Sequence, residues 1–503
     1  MNRQNIRKNT KQNSGVFRKR RLVFPLAFVT AIAAACSVSQ EIKAYFTPPE
    51  IFIAKPYIQL GQGRVDNSTV SHDILFLARN DKHEWELEYK SATSKGWKKA
   101  GPYVKRILEE QPLEAVTLFS FTIPGLPAGK SFSYRIFRDG LETFSTTAKA
   151  QVAFDQPFKF IVAGDLGAGS HGQRRIAQRI YSEAPDMWVM PGDLVYNMGL
   201  LSDYLARFFP IFNADEAKEA VGAPIMRSTL CIPVIGNHDI AQSIMLSPTN
   251  LNRMHDAMAF FQVWSAPLNG PLSRTEGPNV CPLAGSASRL SAFTQSAGKR
   301  FPQMANYSFD FGNTHWIVLD GNYYMDWSSP EMRKWVSDDL AKASSAKWKF
   351  ATFHQPAFST DLYHLKEQRM RLIVDELEKG GVDIVFAGHA HNYQRSFPLH
   401  FKPSTGKMNS DGTVDGTITL DKNYDSTTNT KPNGIIHIVT GAGGARLYSP
   451  TDSKEIVRMG DFLLKTISDC HSYTMCKVDG GNLSITQISD AGKVIDKFAL
   501  RKD

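Results

Sequence analysis

Five short segments, each directly after an apolar run with strand character, set the strongest limit on how this chain can fold. They are Gly164-Asp165-Leu166-Gly167, Gly192-Asp193-Leu194-Val195-Tyr196, Gly236-Asn237-His238-Asp239, Phe353-His354-Gln355-Pro356 and Gly388-His389-Ala390-His391. Together they supply Asp165, Asp193, Tyr196, Asn237, His354, His389 and His391. Strands alternating with helices imply α/β layers. Sheets of that kind carry their functional groups beyond the carboxyl ends of the strands, which is where all five segments lie.

The strand series runs through residues 159–163, 187–190, 232–235, 315–319, 349–353, 383–387 and 435–439. A helix is predicted over Gln173–Glu183, with Ile176, Ala177 and Ile180 on one face. A second starts near Ser329-Pro330-Glu331, with serine as cap and proline in the first turn. A third runs from about Lys366 to Lys379 and stops at Gly380-Gly381. Residues 49–150 read differently. Short runs at 51–53, 73–77, 85–89, 117–122 and 131–136, separated by Gly-Pro or Asp-Gly turns, predict a small all-β sandwich. Residues 213–306, rich in Ala, Ser, Pro and Asn, are expected to form an irregular excursion over the site, and residues 402–432 a surface hairpin or loop.

A chain of 503 residues exceeds what one core usually organises. The formal charge of +9 is concentrated at the start. Residues 1–40 carry eight Lys or Arg and no Asp or Glu; subtracting them leaves about +1 on the rest, so the body has no nucleic-acid footprint. The basic stretch precedes an apolar run, Leu22 to Ala35, and small residues around Ala33-Ala34-Ala35-Cys36, the pattern of an export signal. That run is about 14 residues, against roughly 20 for a membrane span. The expected division is an export signal over 1–36, a sandwich over 49–150 and a metal-binding domain over 155–503. The expected location is periplasmic, extracellular or surface-associated, with membrane contact if Cys36 is lipidated or the signal retained. Without Cys36 the cysteines are Cys231, Cys281, Cys470 and Cys476. Their spacing suggests Cys231–Cys281 and Cys470–Cys476 disulfides, which an oxidising compartment would permit; the alternative is buried thiols.

The donor types state a chemistry. Carboxylate and phenolate oxygens suit hard, highly charged ions, and imidazole suits Zn, Fe, Mn or Cu. A free phenol has a pKa near about 10, so Tyr196 as a ligand needs a strongly acidic ion, and trivalent iron fits best. Asp193 has two oxygens, one for each of two ions. Asn237, a neutral oxygen donor, suits a divalent partner. His389 and His391, two residues apart, can diverge toward different ions. A trivalent and a divalent ion facing ionised Asp165, Asp193 and Tyr196 leave a double positive charge, which matches a dianionic phosphate group. The expected chemistry is metal-assisted hydrolysis of a phosphate ester.

With these residues the chain resembles the purple acid phosphatases, within the calcineurin-like metallophosphoesterases. The five segments match the family pattern Gly-Asp-x-Gly, Gly-Asp-x-x-Tyr, Gly-Asn-His-[Asp/Glu], x-x-x-His and Gly-His-x-His. The resemblance extends to Asn306–Gly312, His391-Asn392-Tyr393-Gln394-Arg395 and Gly441-Ala442-Gly443-Gly444. It covers roughly residues 155–500, and the sandwich resembles the fibronectin type III-like domain of the larger, plant-like members. Other metallophosphoesterases have His where this chain has Gly167 and lack Tyr at position 196.

The resemblance implies Fe(III) on Asp165, Asp193, Tyr196 and His391. It implies a divalent Fe, Zn or Mn on Asp193, Asn237, His354 and His389, and in-line attack by a metal-bound hydroxide. His238 would contact a phosphate oxygen or protonate the leaving group. His364 corresponds to a second outer histidine. Some members have another histidine at the neighbouring position, here Tyr363. Glu367 is a further acid candidate, and His171 could reach the site from its loop. The activity implied is that of an exported acid phosphatase acting on small phosphate monoesters. The alternatives are a phosphodiesterase or nucleotide pyrophosphatase on the same metals, and a noncatalytic surface or adhesion protein using the sandwich.

Overall fold

The computed structural model describes residues 50–63, 68–80, 82–108, 116–241, 247–271, 279–448 and 461–503. The expected export signal and Cys36 lie outside these residues. Residues Ile51–Asp503 form one compact unit. It opens with eight strands: β1 (Ala54–Gln59), β2 (Thr69–Arg79), β3 (Trp85–Ser91), β4 (Lys98–Lys99), β5 (Val104–Leu108), β6 (Val116–Pro127), β7 (Ser131–Arg138) and β8 (Leu141–Lys149). They make two four-stranded sheets, ordered β1-β2-β6-β5 and β4-β3-β7-β8. Phe132, Tyr134 and Ile136 alternate with more exposed neighbours along β7, the signature of a strand with one buried face. Phe76 of β2 and Trp85 of β3 meet at 4.7 Å between ring centroids, and Phe119 of β6 lies 5.4 Å from Trp85. The sheets therefore close face to face into a sandwich, as expected. Ile51-Phe52-Ile53 is not a strand; Phe52 plugs the sandwich core, 5.3 Å from Phe76.

The later strands are β9 (Phe158–Val162), β10 (Met187–Pro191), β11 (Asn213–Lys218), β12 (Gly222–Pro224), β13 (Leu230–Val234), β14 (Thr249–Asn250), β15 (Leu283–Ala284), β16 (Tyr307–Phe311), β17 (Thr314–Val318), β18 (Trp348–Thr352) and β19 (Ile384–Ala387). After them come β20 (Tyr393–Ser396), β21 (Leu399–Pro403), β22 (Gly416–Leu420), β23 (Ile436–Thr440), β24 (Leu463–Ile467), β25 (Ser472–Asp479), β26 (Asn482–Ser489) and β27 (Val494–Arg501). Two large sheets result, β13-β10-β9-β25-β26-β27 and β16-β17-β18-β19-β23-β20-β24. Parallel pairing joins β9, β10 and β13 in the first and β17, β18, β19 and β23 in the second. Phe160 of β9 packs on Trp316 and Phe350 of the other sheet at 5.1 and 5.6 Å, so the apolar runs meet in one layer between the sheets. The two sheets thus pack face to face, the layering expected.

The helices follow their local signals. Ser170 caps the first, accepting from Gln173 N–H at 3.0 Å, and the helix runs His171–Glu183 with Ile176, Ala177 and Ile180 buried. The second spans Pro330–Lys342 and buries Met332, Val336 and Leu340 at four-residue spacing. The third is shorter than expected. Residues Arg369–Ile373 form a 3-10 turn that leads into a helix at Val374–Lys379. The residues before it are held in a turn because His364 Nδ1 bonds Glu367 Oε1 at 2.8 Å. The excursion over 213–306 is more regular than expected, with the hairpin β11–β12 and a helix at Ala287–Ala297. Its described parts bond to the sandwich: Tyr57 Oη donates to Val263 O at 2.6 Å, and Tyr134 Oη to Arg227 O at 2.9 Å. Residues 402–432 do contain a hairpin strand, β22 pairing with β21.

The disulfide expectation is overturned, for neither pair is joined. Cys231 is buried in β13 with Sγ 3.4 Å from Thr229 O. Cys476 sits mid-strand in β25, opposite Phe160 and Ile485. The extended stretch from Ser472 to Cys476 alone spans roughly 13 Å, beyond what a bridge to Cys470 tolerates. The cysteines therefore lend the export reading no support.

One ion-pair cluster ties a hairpin to a helix. His315 of β17 lies 2.8 Å from Asp310 and 2.9 Å from Asp339, and Ser308 Oγ donates to Asp339 Oδ1 at 2.6 Å. Burial pushes the imidazole down, but the two carboxylates outweigh it and raise its pKa from 6.5 to about 9. A raised histidine stabilises fully below its unfolded value and loses that contribution as pH rises through the folded one. Replacing His315 by Gln should therefore cost on the order of 2 kcal/mol at pH 6, discounted for half-exposed Asp310, and progressively less toward pH 10. Urea unfolding at both pH values checks this; a pH-independent difference would refute it.

Candidate metal centre

The carboxyl ends of five parallel strands converge on one point. Asp165 follows β9, Asp193 and Tyr196 follow β10, Asn237 and His238 follow β13, His354 follows β18, and His389 and His391 follow β19. Asp165, Asp193 and His389 have φ values of 58°, 50° and 70°. The left-handed region is costly for such residues and persists where the surroundings hold it. Here the backbone does so: Asp165 N–H donates to Gly192 O and Leu166 N–H to Asp193 O, both at 3.0 Å. His389 N–H donates to the Asp165 carboxylate at 2.9 Å. These turns aim the side chains inward.

Glycine is required at two of the turns. A Cβ on Gly192, where φ is +80°, would lie 2.4 Å from His354 Nδ1. Gly167 is bridged to Val195, and a Cβ there would meet Leu194 O at 2.1 Å. The position where the wider superfamily carries a histidine therefore has no room for a side chain in this backbone. Asp239 supports the same turns from below: its buried carboxylate accepts from Leu194 N–H at 3.1 Å and Gly236 N–H at 2.9 Å.

The histidine tautomers follow from their partners, because a carbonyl or carboxylate oxygen can only accept. His354 Nδ1–H donates to Pro191 O at 2.8 Å, His391 Nδ1–H to Arg446 O at 2.7 Å, and His389 Nε2–H to Glu367 Oε2 at 2.9 Å. The other nitrogen of each ring points into the centre. His354 Nε2 lies 3.1 Å from Asn237 Oδ1, 3.1 Å from His389 Nδ1 and 3.2 Å from Asp193 Oδ1. On the other flank, Tyr196 Oη lies 3.1 Å from Asp165 Oδ1 and 3.0 Å from His391 Nε2. Asp193, His354 and His389 form one close group of donor atoms, and Asp165, Asp193 and His391 another.

This donor set fits a pair of cations. Acceptor atoms of Asn237, His389 and Asp193 converge on His354 Nε2, so the cluster calls for a positive charge, supplied by a cation or by a proton on Nε2. The His354 imidazole states the same requirement: burial pushes its pKa down, yet Asp193 outweighs burial and lifts it to about 10. For Asp193, burial raises the carboxyl, and the surrounding imidazoles outweigh that and hold it well below the usual range. Tyr196 is driven far above its usual value by burial and by Asp165 and Asp193. Only a strongly acidic ion would make it a phenolate there.

The outer residues separate into two flanks. His238 Nδ1–H donates to Asn197 O at 2.7 Å, and its Nε2 lies 3.9 Å from Asp193 Oδ2. His364 lies on the opposite side, its ring 3.8 Å from that of His389. Tyr363 is exposed, and His171 sits exposed in the first turn of the 171–183 helix. Burial raises the Glu367 carboxyl, but hydrogen bonds from His364 and His389 outweigh it and hold it well below the usual range, which argues against Glu367 as a proton donor. Two neighbours had no signal in the sequence. Tyr448 stacks on His391 at 4.2 Å from a loop 57 residues away, and buried Asp361 lies 3.9 Å from His364.

Residues 158–393 match the calcineurin-like phosphoesterase family. Purple acid phosphatase 21 of Arabidopsis thaliana is 29% identical over 250 residues, covering 49% of this chain and 46% of that protein. Purple acid phosphatase 15 of the same plant is 28% identical over 256 residues, covering 48% and 41%. The matched part thus spans less than half the length of these relatives. Among solved structures, the purple acid phosphatase PPD1 from yellow lupin seeds superposes with a TM-score of 0.60 at 16% identity, covering 89% of this chain and 74% of that one. PhoD superposes with a TM-score of 0.52 at 14% identity, covering 91% and 92%. The chain carries a calcineurin-like phosphoesterase domain. Over about half of its length it is similar to purple acid phosphatases.

The Gly192 turn gives a direct test of this geometry. Gly192→Ala forces a side chain into the His354 imidazole at a positive φ, so it should destabilise by roughly 1–3 kcal/mol. An unchanged urea midpoint would show that the turn is not as tight as described.

Proposed function

We propose that this chain is an exported acid phosphatase that hydrolyses small phosphate monoesters at an Fe(III)–M(II) pair, with M being Fe, Zn or Mn. Asp165, Asp193, Tyr196 and His391 would hold the iron. Asp193, Asn237, His354 and His389 would hold the divalent ion. The observation that carries the reading is that one buried carboxylate, Asp193, belongs to both groups of donor atoms. The catalytic domain is assigned to residues 155–503, and a fibronectin type III-like domain to 49–150. Export rests on the basic and apolar pattern within residues 1–36. Among the described residues no helix is long and apolar enough to cross a membrane.

When bound, the ions supply Lewis acidity toward the phosphoryl oxygens and make water acidic enough to be a nucleophile near neutral pH. The chain's own residues do the rest. The Asn197 carbonyl fixes the His238 tautomer, so His238 presents Nε2 toward the approach side, where it can hold a phosphate oxygen or hand a proton to the leaving group. His364 faces the same space from beside His389. Tyr448 stacks on His391, on the side proposed for iron.

A substrate panel tests the activity. In mildly acidic buffer p-nitrophenyl phosphate should be cleaved faster than bis-p-nitrophenyl phosphate or pyrophosphate. Preference for the diester or the pyrophosphate would move the assignment to those rival activities, and no turnover of any would favour a noncatalytic role.

The phenolate assignment has a spectroscopic test. The iron-loaded protein should show a visible charge-transfer band, and Tyr196→Phe should abolish it without changing the far-ultraviolet circular dichroism. A band that survives in Tyr196→Phe would remove Tyr196 from the iron.

A further inference from the structure

One carboxylate outside the proposed ligand set touches both flanking histidines of the divalent half. Glu367 Oε1 lies 2.8 Å from His364 Nδ1, and Oε2 lies 2.9 Å from His389 Nε2. Two residues on, Arg369 stacks over the Tyr323 ring at 3.9 Å. The turn carrying Glu367 is itself fixed. His364 N–H donates to Asp361 O at 3.1 Å, Glu367 N–H to His364 O at 3.0 Å, and Gln368 N–H to Gly412 O at 3.1 Å. The Glu367 side chain is only 10% exposed, so water does not compete for its oxygens.

We propose that Glu367 is a positioning residue that locks the tautomers of two histidines at once, holding His389 Nδ1 open as a ligand for the divalent ion and His364 Nε2 open toward the substrate side. The proposal rests on the metal-centre reading given above. An ionised carboxylate has no proton to give, so each histidine must offer it an N–H. His389 Nδ1 is thereby left as a lone pair, directed at the point where it stands 3.1 Å from His354 Nε2. His364 Nε2 is left facing Tyr448 Oη at 3.5 Å and Asp361 Oδ2 at 3.9 Å. Carboxylates that receive the second N–H of a metal-binding histidine fix its orientation and raise its basicity. Glu367 differs in joining such a ligand to an outer histidine through its second oxygen. It makes no contact with Asp165, Tyr196 or His391 among the hydrogen bonds of the described residues, so its effect should be confined to the divalent half.

The amide of Glu367→Gln can accept from one histidine only. Its NH2 must face the other, which then has to turn its proton inward. In the full-length protein loaded with Fe(III) and Zn(II), this variant should bind zinc about 10- to 100-fold more weakly in a chelator competition. Iron content and the visible band should be unchanged. Glu367→Asp, one methylene too short to reach both rings, should lose zinc affinity in the same selective way and serves if the Gln variant does not fold. Zinc held as tightly as in the parent, or zinc and iron lost together, would overturn the proposal. A parent protein that binds no iron–zinc pair would overturn the metal-centre reading and this inference with it. A parent that binds both ions beside variants that still hold zinc would overturn this inference alone.

Discussion

The carboxylate of Asp193 is the constraint around which the rest of the domain is arranged. It is fully buried, it leaves a strand end at positive φ, and it accepts from His238 N–H at 2.9 Å while facing His354 Nε2 at 3.2 Å. A buried charge of this kind is tolerated only when paired. The neighbours supply that pairing through imidazoles whose outer nitrogens are each committed to a fixed acceptor. Gly192 and Gly236 make way for the turn: a Cβ on Gly236 would meet Asp193 N and Oδ1 at 2.3 Å. The two sheets are the frame that keeps these turns opposed. Aromatic packing between them, centred on Phe160, Trp316 and Phe350, fixes the spacing of strand ends that come from different sheets.

Much of this was legible in the sequence because its logic is local. A largely apolar run ending in Gly-Asp, Gly-Asn, Phe-His or Gly-His announces both a buried strand and the group at its end. For β9, β10, β13, β18 and β19 the structure places those ends together. The alternation in β7 and the helix start at Ser329-Pro330 were equally readable, for they depend on neighbours within a few residues, although Ser329 makes no side-chain cap bond. Contacts made across the chain were not. Tyr448 reaches His391 from a loop with no motif of its own, and Asp361 is an ordinary turn residue until the fold brings it beside His364. The stretch Lys366–Lys379 has helical composition, yet tertiary contacts of His364 and Glu367 hold its start in a turn. The cysteine spacing misled for the same reason: whether Cys476 can reach Cys470 depends on its place in the middle of β25.

The chemistry divides along the same line as the geometry. The iron flank of the proposed centre combines three oxygen donors with the His391 imidazole and is backed by Tyr448, while the divalent flank is built from imidazoles and Asn237 and is backed by Glu367. Asp193 alone belongs to both. Outer residues that look interchangeable in sequence therefore have different tasks. His238 has one nitrogen tied to a backbone carbonyl and the other near Asp193, whereas His364 is held by a carboxylate that also holds a metal-ligand candidate. Among the described residues the sandwich contributes no donor to the centre. Its bonds to Val263 and Arg227 anchor the segment that carries Asn237 and His238.

The central claim is that Asp193 stands between two cations. Anomalous X-ray scattering from crystals of the metal-loaded protein, collected on either side of the iron edge, tests it most directly. Two peaks should appear about 3.5–4 Å apart, one bounded by Asp165, Tyr196 and His391 and the other by Asn237, His354 and His389, with the Asp193 carboxylate reaching both. A single peak, or a pair that Asp193 does not bridge, would contradict the account.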